Sequence, residues 1–152
     1  MRIMEIGKET GNFAAGLRDT ALPDGTGVCL IGLALEDSDP FEIWVGEYTR
    51  ELIMALKQEY EAVCEKRRKY LIVMLAEDMK DPFAQAAADG CWEALRGIVH
   101  VLTMEKRADR LVLNLIRGRK KDKERITDAV AFLAEEHADF CAGCTFDVRE
   151  WK

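Results

Sequence analysis

Three short, nearly unbroken apolar runs constrain this chain more than any other feature: Val28–Leu35 (VCLIGLAL), Tyr70–Leu75 (YLIVML) and Leu111–Ile116 (LVLNLI). Each is short for a buried helix, and none alternates as a strand with one wet face would. Such runs suit strands buried on both sides, as in a parallel sheet covered by helices. The stretches between them are long enough for the crossover helices that parallel strands require. After Asp39 and Pro40, a good start signal, the segment from Phe41 to about Lys66 carries Val45, Tyr48, Leu52, Leu56, Tyr60 and Val63 at three- and four-residue steps, which predicts an amphipathic helix.

From Pro82 to Arg107 the chain is rich in alanine and apolar on more than one side, through Phe83, Ala87, Cys91, Trp92, Leu95, Ile98, Val99 and Leu102. A helix of that kind must be covered on two faces. A last helix is expected over Ile126–Glu136 and a short final strand over Thr145–Val148. Regular alternation of strand and helix argues for an α/β layer structure. Residues 1–27 are turn-rich, with Gly7, Gly11, Gly16, Pro23, Gly25 and Gly27, and hold at most a short helix around Asn12–Arg18. The organisation expected is thus a short N-terminal segment, 1–27, and one domain, 28–152; 152 residues supply one ordinary core.

A net charge of −6 disfavours a generic nucleic-acid binder, which needs a clustered excess of Lys and Arg. The opening MRIMEIGKET has no apolar run of signal-peptide type, and no apolar stretch reaches the length of a membrane span, so a cytoplasmic location is expected. Five cysteines, an odd number, then read as reduced thiols rather than a disulfide framework.

Two blocks carry a resemblance. In TMEKRADRLVLNLIRG, Asn114 and Gly118 stand as in a segment of helix end, strand, Asn and Pro-Gly, with Arg117 in place of the Pro. In AVAFLAEEHADFCAGCTFDV, Phe132, Leu133, Ala134, Phe140, Gly143, Asp147 and Val148 follow a closing pattern of Phe-Leu-Ala, an aromatic, Gly and a strand with Asp-Val. From about Val28 onward, roughly four fifths of the chain, this resembles the second half of the short-chain dehydrogenase/reductase family. The resemblance implies an α/β, truncated Rossmann-like three-layer fold. Its parallel sheet would have about four strands with helices on both faces, and the N-terminal cofactor-binding half would be missing.

Departures from the family pattern are as telling as the matches. No glycine-rich turn of the dinucleotide type precedes Val28, so no cofactor is expected in this chain. Projected back from Asn114, the family's Tyr-x-x-x-Lys pair falls on Ala88 and Trp92, its Ser near Glu77 and its helical Asn near Glu51. Neither Ala88 nor Trp92 can transfer a proton. The family's substrate lid is cut to GRKKDKERI. What the resemblance retains are the two long helices with which family members pair, Glu42–Lys66 and Pro82–Arg107, and the last strand. It therefore implies a non-catalytic subunit joined to a full-length, NAD-binding short-chain dehydrogenase, in a heterotetramer that oxidises a hydroxyacyl-CoA such as the 2-(α-hydroxybenzyl)succinyl-CoA of anaerobic toluene degradation. Candidate interface residues are Val45, Tyr48, Leu52, Leu56, Tyr60, Cys91, Leu95, Ile98, Leu102, Phe146 and Val148.

Two other functions stay open: a stand-alone binding or regulatory domain, and an enzyme with relocated chemistry using Glu51, Glu77 or the cysteines. Cys141-Ala-Gly-Cys144, with His137 one turn before it, has the spacing of redox and zinc sites, yet a zinc would want four ligands and the segment reads equally as a turn. Arg117–Arg125, six basic residues in nine, could touch a phosphate but suits a solvated loop, as does Lys66–Lys69. Glu77 and Asp78 read as an acidic strand-end loop, and Trp92 and His100 as packing residues.

Overall fold

The three apolar runs become the centre of one parallel sheet. The computed structural model describes residues 2–7, 10–33, 46–47, 49–62, 68–105 and 111–150. Its strands are β1 (Arg2–Gly7), β2 (Thr26–Leu33), β3 (Arg68–Ala76), β4 (Leu111–Gly118) and β5 (Thr145–Asp147), hydrogen-bonded side by side in chain order and all parallel. The helices are α1 (Gly11–Arg18), α2 (Thr49–Ala62), α3 (Pro82–Glu105) and α4 (Lys123–Ala134).

Alternate residues of each central strand feed two separate cores, which is why the runs are apolar throughout. Cys29 and Ile31 of β2, with Tyr70, Ile72 and Met74 of β3 and Leu111, Leu113 and Leu115 of β4, pack under α2 and α3. Val28 and Leu30, with Leu71, Val73, Leu75 and Ile116, face α1 and α4. Each helix answers with apolar residues at three- and four-residue steps: Phe13, Ala14 and Leu17 in α1; Leu52, Ala55 and Leu56 in α2; Ala88, Cys91, Trp92, Leu95 and Val99 in α3; Ile126, Ala129, Val130 and Leu133 in α4. A fully buried Leu or Ile contributes about 1.5–3 kcal/mol. The fold is therefore three-layered α/β and Rossmann-like.

The expectation for residues 1–27 is corrected. They hold a strand, Arg2–Gly7, and a helix, Gly11–Arg18, with β1 paired to β2 from Arg2↔Gly27 to Gly7↔Gly32, and among the described residues the sheet has five strands rather than about four. At the edge of the sheet β1 needs little apolar character: only Ile6 is buried, and Glu5 is exposed. Gly7, at φ 84°, ends the strand in a conformation that residues with a Cβ rarely adopt. The last helix also starts earlier than Ile126, at Lys123, and β4 runs on to Gly118. Val45, Tyr48 and Val63 of the predicted first long helix lie outside the described residues.

Candidate functional site

In open α/β sheets ligands gather at the carboxyl ends of the strands. Here the ends of β3, β4 and β5 carry a lattice of ion pairs. Arg119 binds Asp122 Oδ2 through Nε at 2.9 Å and Asp78 Oδ2 through Nη1 at 2.8 Å, and donates from Nη2 to the Arg149 carbonyl at 3.0 Å. Arg149 forks onto Asp147, Nε to Oδ1 at 2.8 Å and Nη2 to Oδ2 at 2.6 Å, and lies 3.8 Å from Asp78 Oδ1. Arg117 Nη2 donates to Asp89 Oδ1 at 2.6 Å, and its guanidinium carbon sits 5.6 Å from the Trp92 ring centroid. Burial works to raise the Asp89, Asp122 and Asp147 carboxyls, but hydrogen bonds and charge from the neighbouring arginines outweigh it and hold all three below the ordinary carboxylate value. The same bonds raise Arg119 and Arg149.

The positions to which the family resemblance assigns chemistry lie under and around this lattice. Ala88 is fully buried and Trp92 nearly so, Trp92 serving as the platform for Arg117. Glu77 accepts a hydrogen bond from the Lys120 backbone N–H at 2.7 Å, which fixes the loop after β4. Glu51 stands apart from these, on α2, in an open cleft of about 320 Å³ lined by Met4, Glu47, Arg50, Met54, Ala55 and Gln58. Burial pushes the Cys29 thiol up to about 12 and the Cys91 thiol up to about 11, so neither is a ready nucleophile. Among the described residues no three His, Cys, Asp or Glu side chains are grouped to hold a metal ion, and His137 packs edge-on to Phe132 at 5.1 Å.

Beside β1, Gly11, Asn12 and Phe13 at the start of α1 line a second cleft, of about 510 Å³, with Leu75, Lys120 and Lys123. The hydroxyl of Thr10 turns away from the helix it precedes and donates to Glu5 Oε2 at 2.8 Å. The cleft thus combines a helix amino end with two ammonium groups, a setting that suits a small anion. Among the described residues no strand lies beyond β1.

On the opposite face, α2 and α3 leave an apolar groove of about 800 Å³ between Ile53, Leu56 and Lys57 on one side and Ala94, Gly97, Ile98, Val101 and Leu102 on the other, floored by Leu111 and Leu113. Of the residues expected to meet a partner, Leu52, Leu56, Cys91, Leu95 and Val148 are buried in the chain's own cores, while Ile98, Leu102 and Phe146 are half-buried. Val45 and Tyr48 lie outside the described residues, as does the side chain of Tyr60. Beside them on α2 and α3 water reaches Ile53, 49% exposed, Met54, Val101 and Met104, while Phe83, Phe132 and Phe140 are exposed elsewhere. On α3 the signal was present as a second stripe, Ala94, Ile98, Val101 and Met104, beside the stripe that enters the core. No helix of the described residues is long and apolar enough to cross a membrane.

No protein-family model matches the chain, and no curated protein does. Among solved structures it is similar to BdcA (YjgI) from E. coli, with a TM-score of 0.60 and 16% identity over 91% of this chain and 67% of that one. It is likewise similar to BdcA in complex with NADPH, with a TM-score of 0.57 and 16% identity over 91% of this chain and 69% of that one. At such identity the likeness is one of architecture, and the chain has an α/β Rossmann-like fold shared with an NADPH-binding protein.

Proposed function

We propose that this chain is a non-catalytic subunit that docks, through the groove between α2 and α3, onto a full-length short-chain dehydrogenase and supports an NAD-dependent oxidation carried out by that partner. The observation that carries this reading is the groove itself, an apolar channel of about 800 Å³ whose lining includes Ile53 and Val101, each about half exposed. Water-facing apolar surface of this kind is costly unless it is covered. Two further features agree with it. The projected proton-transfer positions hold Ala88 and Trp92, and Arg117 covers the Trp. A dinucleotide needs strands on both sides of the first one, where the fold binds its cofactor, and here β1 is the edge. The residues present therefore fit an anion better than a nucleotide. By family resemblance the partner's substrate would be a hydroxyacyl-CoA, 2-(α-hydroxybenzyl)succinyl-CoA of toluene degradation being one instance.

The cleft formed by Gly11, Lys120 and Lys123 favours a second reading, a stand-alone domain that binds a phosphorylated ligand. Co-expression with the full-length dehydrogenase encoded nearest to it distinguishes the two. The subunit reading expects a defined complex by size-exclusion with mass determination, NAD-dependent oxidation only in that complex, and loss of the complex in Ile53→Glu/Val101→Glu with the fold intact by circular dichroism. A monodisperse wild-type chain that ignores the dehydrogenase overturns it.

A further inference from the structure

Asn114 is the single amide in an otherwise apolar stretch of β4, and it is fully buried. Its Nδ2 donates to the Cys141 carbonyl at 2.7 Å, and its Oδ1 accepts from the Cys144 N–H at 3.0 Å. One side chain thus grips the backbone of both cysteines in Cys141-Ala-Gly-Cys144. Three backbone bonds hold the same loop: Gly143 N to Leu113 O at 2.7 Å, Leu115 N to Cys144 O at 2.9 Å and Cys141 N to Ala138 O at 2.9 Å. Gly143, at φ 70°, lets the chain double back, and a Cβ there would stand 3.1 Å from the Thr103 side chain. The Cys144 thiol donates to the Ala142 carbonyl at 3.9 Å. Cys141 is buried, and that burial above all raises its thiol over the ordinary value, the charge of Lys69 offsetting only part of the effect; Cys144 is half-buried.

We propose that Cys141 and Cys144 form a dithiol–disulfide couple that exchanges with small disulfides of the glutathione class. The more accessible Cys144 loses its proton and attacks one sulfur of the external disulfide. A mixed disulfide forms, and the expelled thiolate takes up a proton. The Cys141 thiol then gives up its proton and attacks the Cys144 sulfur. The second external thiolate leaves, is protonated, and the Cys141–Cys144 bond is complete. Two protein thiols are oxidised and one external disulfide is reduced to two thiols, so electrons and protons balance. Closure needs the sulfurs to contract to a bond of about 2 Å, with the clamped backbone groups left in place. The ring closed is so small that little chain entropy is removed, and the couple serves as a redox site rather than a staple.

The test equilibrates the full chain with glutathione of graded oxidation, traps thiols by alkylation and maps them by mass. The expected result is loss of two of the five alkylatable cysteines to a Cys141–Cys144 disulfide that dithiothreitol reverses. Cys141→Ser, or Cys141→Ala if the buried hydroxyl unsettles the fold, is expected to stop at a stable glutathione adduct on Cys144. The proposal is overturned if both thiols stay alkylatable in fully oxidised glutathione, if the wild type accumulates the Cys144 adduct unresolved, or if the disulfide maps to another pair.

Discussion

Replacing Asn114 by alanine removes both arms of the clamp at once. The Cys141 carbonyl loses a 2.7 Å bond and the Cys144 N–H loses a 3.0 Å bond. Asn114 is fully buried, so the carbonyl is left with no water in reach, whereas Cys144 is half-buried and its N–H can recover some solvent. An orphaned buried group costs about 1–3 kcal/mol. One full penalty and one partial penalty give about 3 kcal/mol. With a urea slope of about 2 kcal/mol/M, the unfolding midpoint should fall by roughly 1.5 M at unchanged slope. Asn114→Asp separates the two arms. It keeps the acceptor for the Cys144 N–H but turns an anion toward the Cys141 carbonyl, which favours the protonated acid and raises its folded pKa above the unfolded value of about 3.9. Its penalty should therefore be largest near neutrality and ease as the pH falls through that raised pKa. A midpoint shift for the alanine variant equivalent to less than about 1 kcal/mol would refute the reasoning.

The ion lattice makes an asymmetric prediction. Asp89→Ala leaves the buried Arg117 guanidinium short of its partner and should cost about 2 kcal/mol, somewhat below a fully buried pair because Asp89 itself is half exposed, while Arg117→Leu should cost less or nothing by urea denaturation. The folded pKa values of Asp89, Asp122 and Asp147 are depressed, so the stability they contribute is present above the unfolded value of about 3.9 and is lost as the pH drops through the folded values. Thermal melts across the acid range should show this loss, and Asp122→Asn should flatten the slope. Gly118→Ala would place a Cβ 2.5 Å from Ile126 Cδ1, so a loss of about 1–3 kcal/mol is expected, with partial relief from Ile126→Val in the double variant. Thr103 Oγ1 is buried without a hydrogen-bond partner among the described residues, and Thr103→Val should raise the midpoint by about 0.5–1 kcal/mol.

The central strands were legible in the sequence because burial on both faces writes itself as an unbroken apolar run, and β3, with all but its first residue buried, shows it fully. β1 was not, because an edge strand mixes Arg2, Met4 and Glu5 in a pattern that composition cannot tell from a turn-rich leader. Helical periodicity identified which positions of α2 and α3 are apolar without saying which of two stripes enters the core. Leu52 and Leu95 go in, whereas Met54 and Val101 stay out, and only the direction of each helix on the sheet decides it. The arginine lattice was read as a solvated basic loop because its acidic partners, Asp78, Asp89 and Asp147, come from three other segments.

Strand order ties the edge position of β1 to the groove. A doubly wound sheet of order 3-2-1-4-5-6 that loses its second and third strands is left with 1-4-5-6, which renumbers as strands in chain order, all parallel, with the first at the edge. β1 to β4 stand in that order, with β5 added beyond them, and the likeness covers 91% of this chain and 67% of the BdcA chain. Removal on that side leaves the carboxyl ends of the later strands and both layers of helices in place, because the cores under α2/α3 and α1/α4 are built from β2, β3 and β4. In a sheet so ordered the groove between α2 and α3 and the crevice at the carboxyl ends of the strands are separate candidate sites. If the groove rather than the crevice is what selection acts on, polar substitutions at Ile53 and Val101 should disrupt assembly with little change in melting temperature, and substitutions at Gly11, Asn12 or Lys123 should leave assembly unaffected, both read by size-exclusion and thermal melts. The reverse pattern would place the function in the anion cleft.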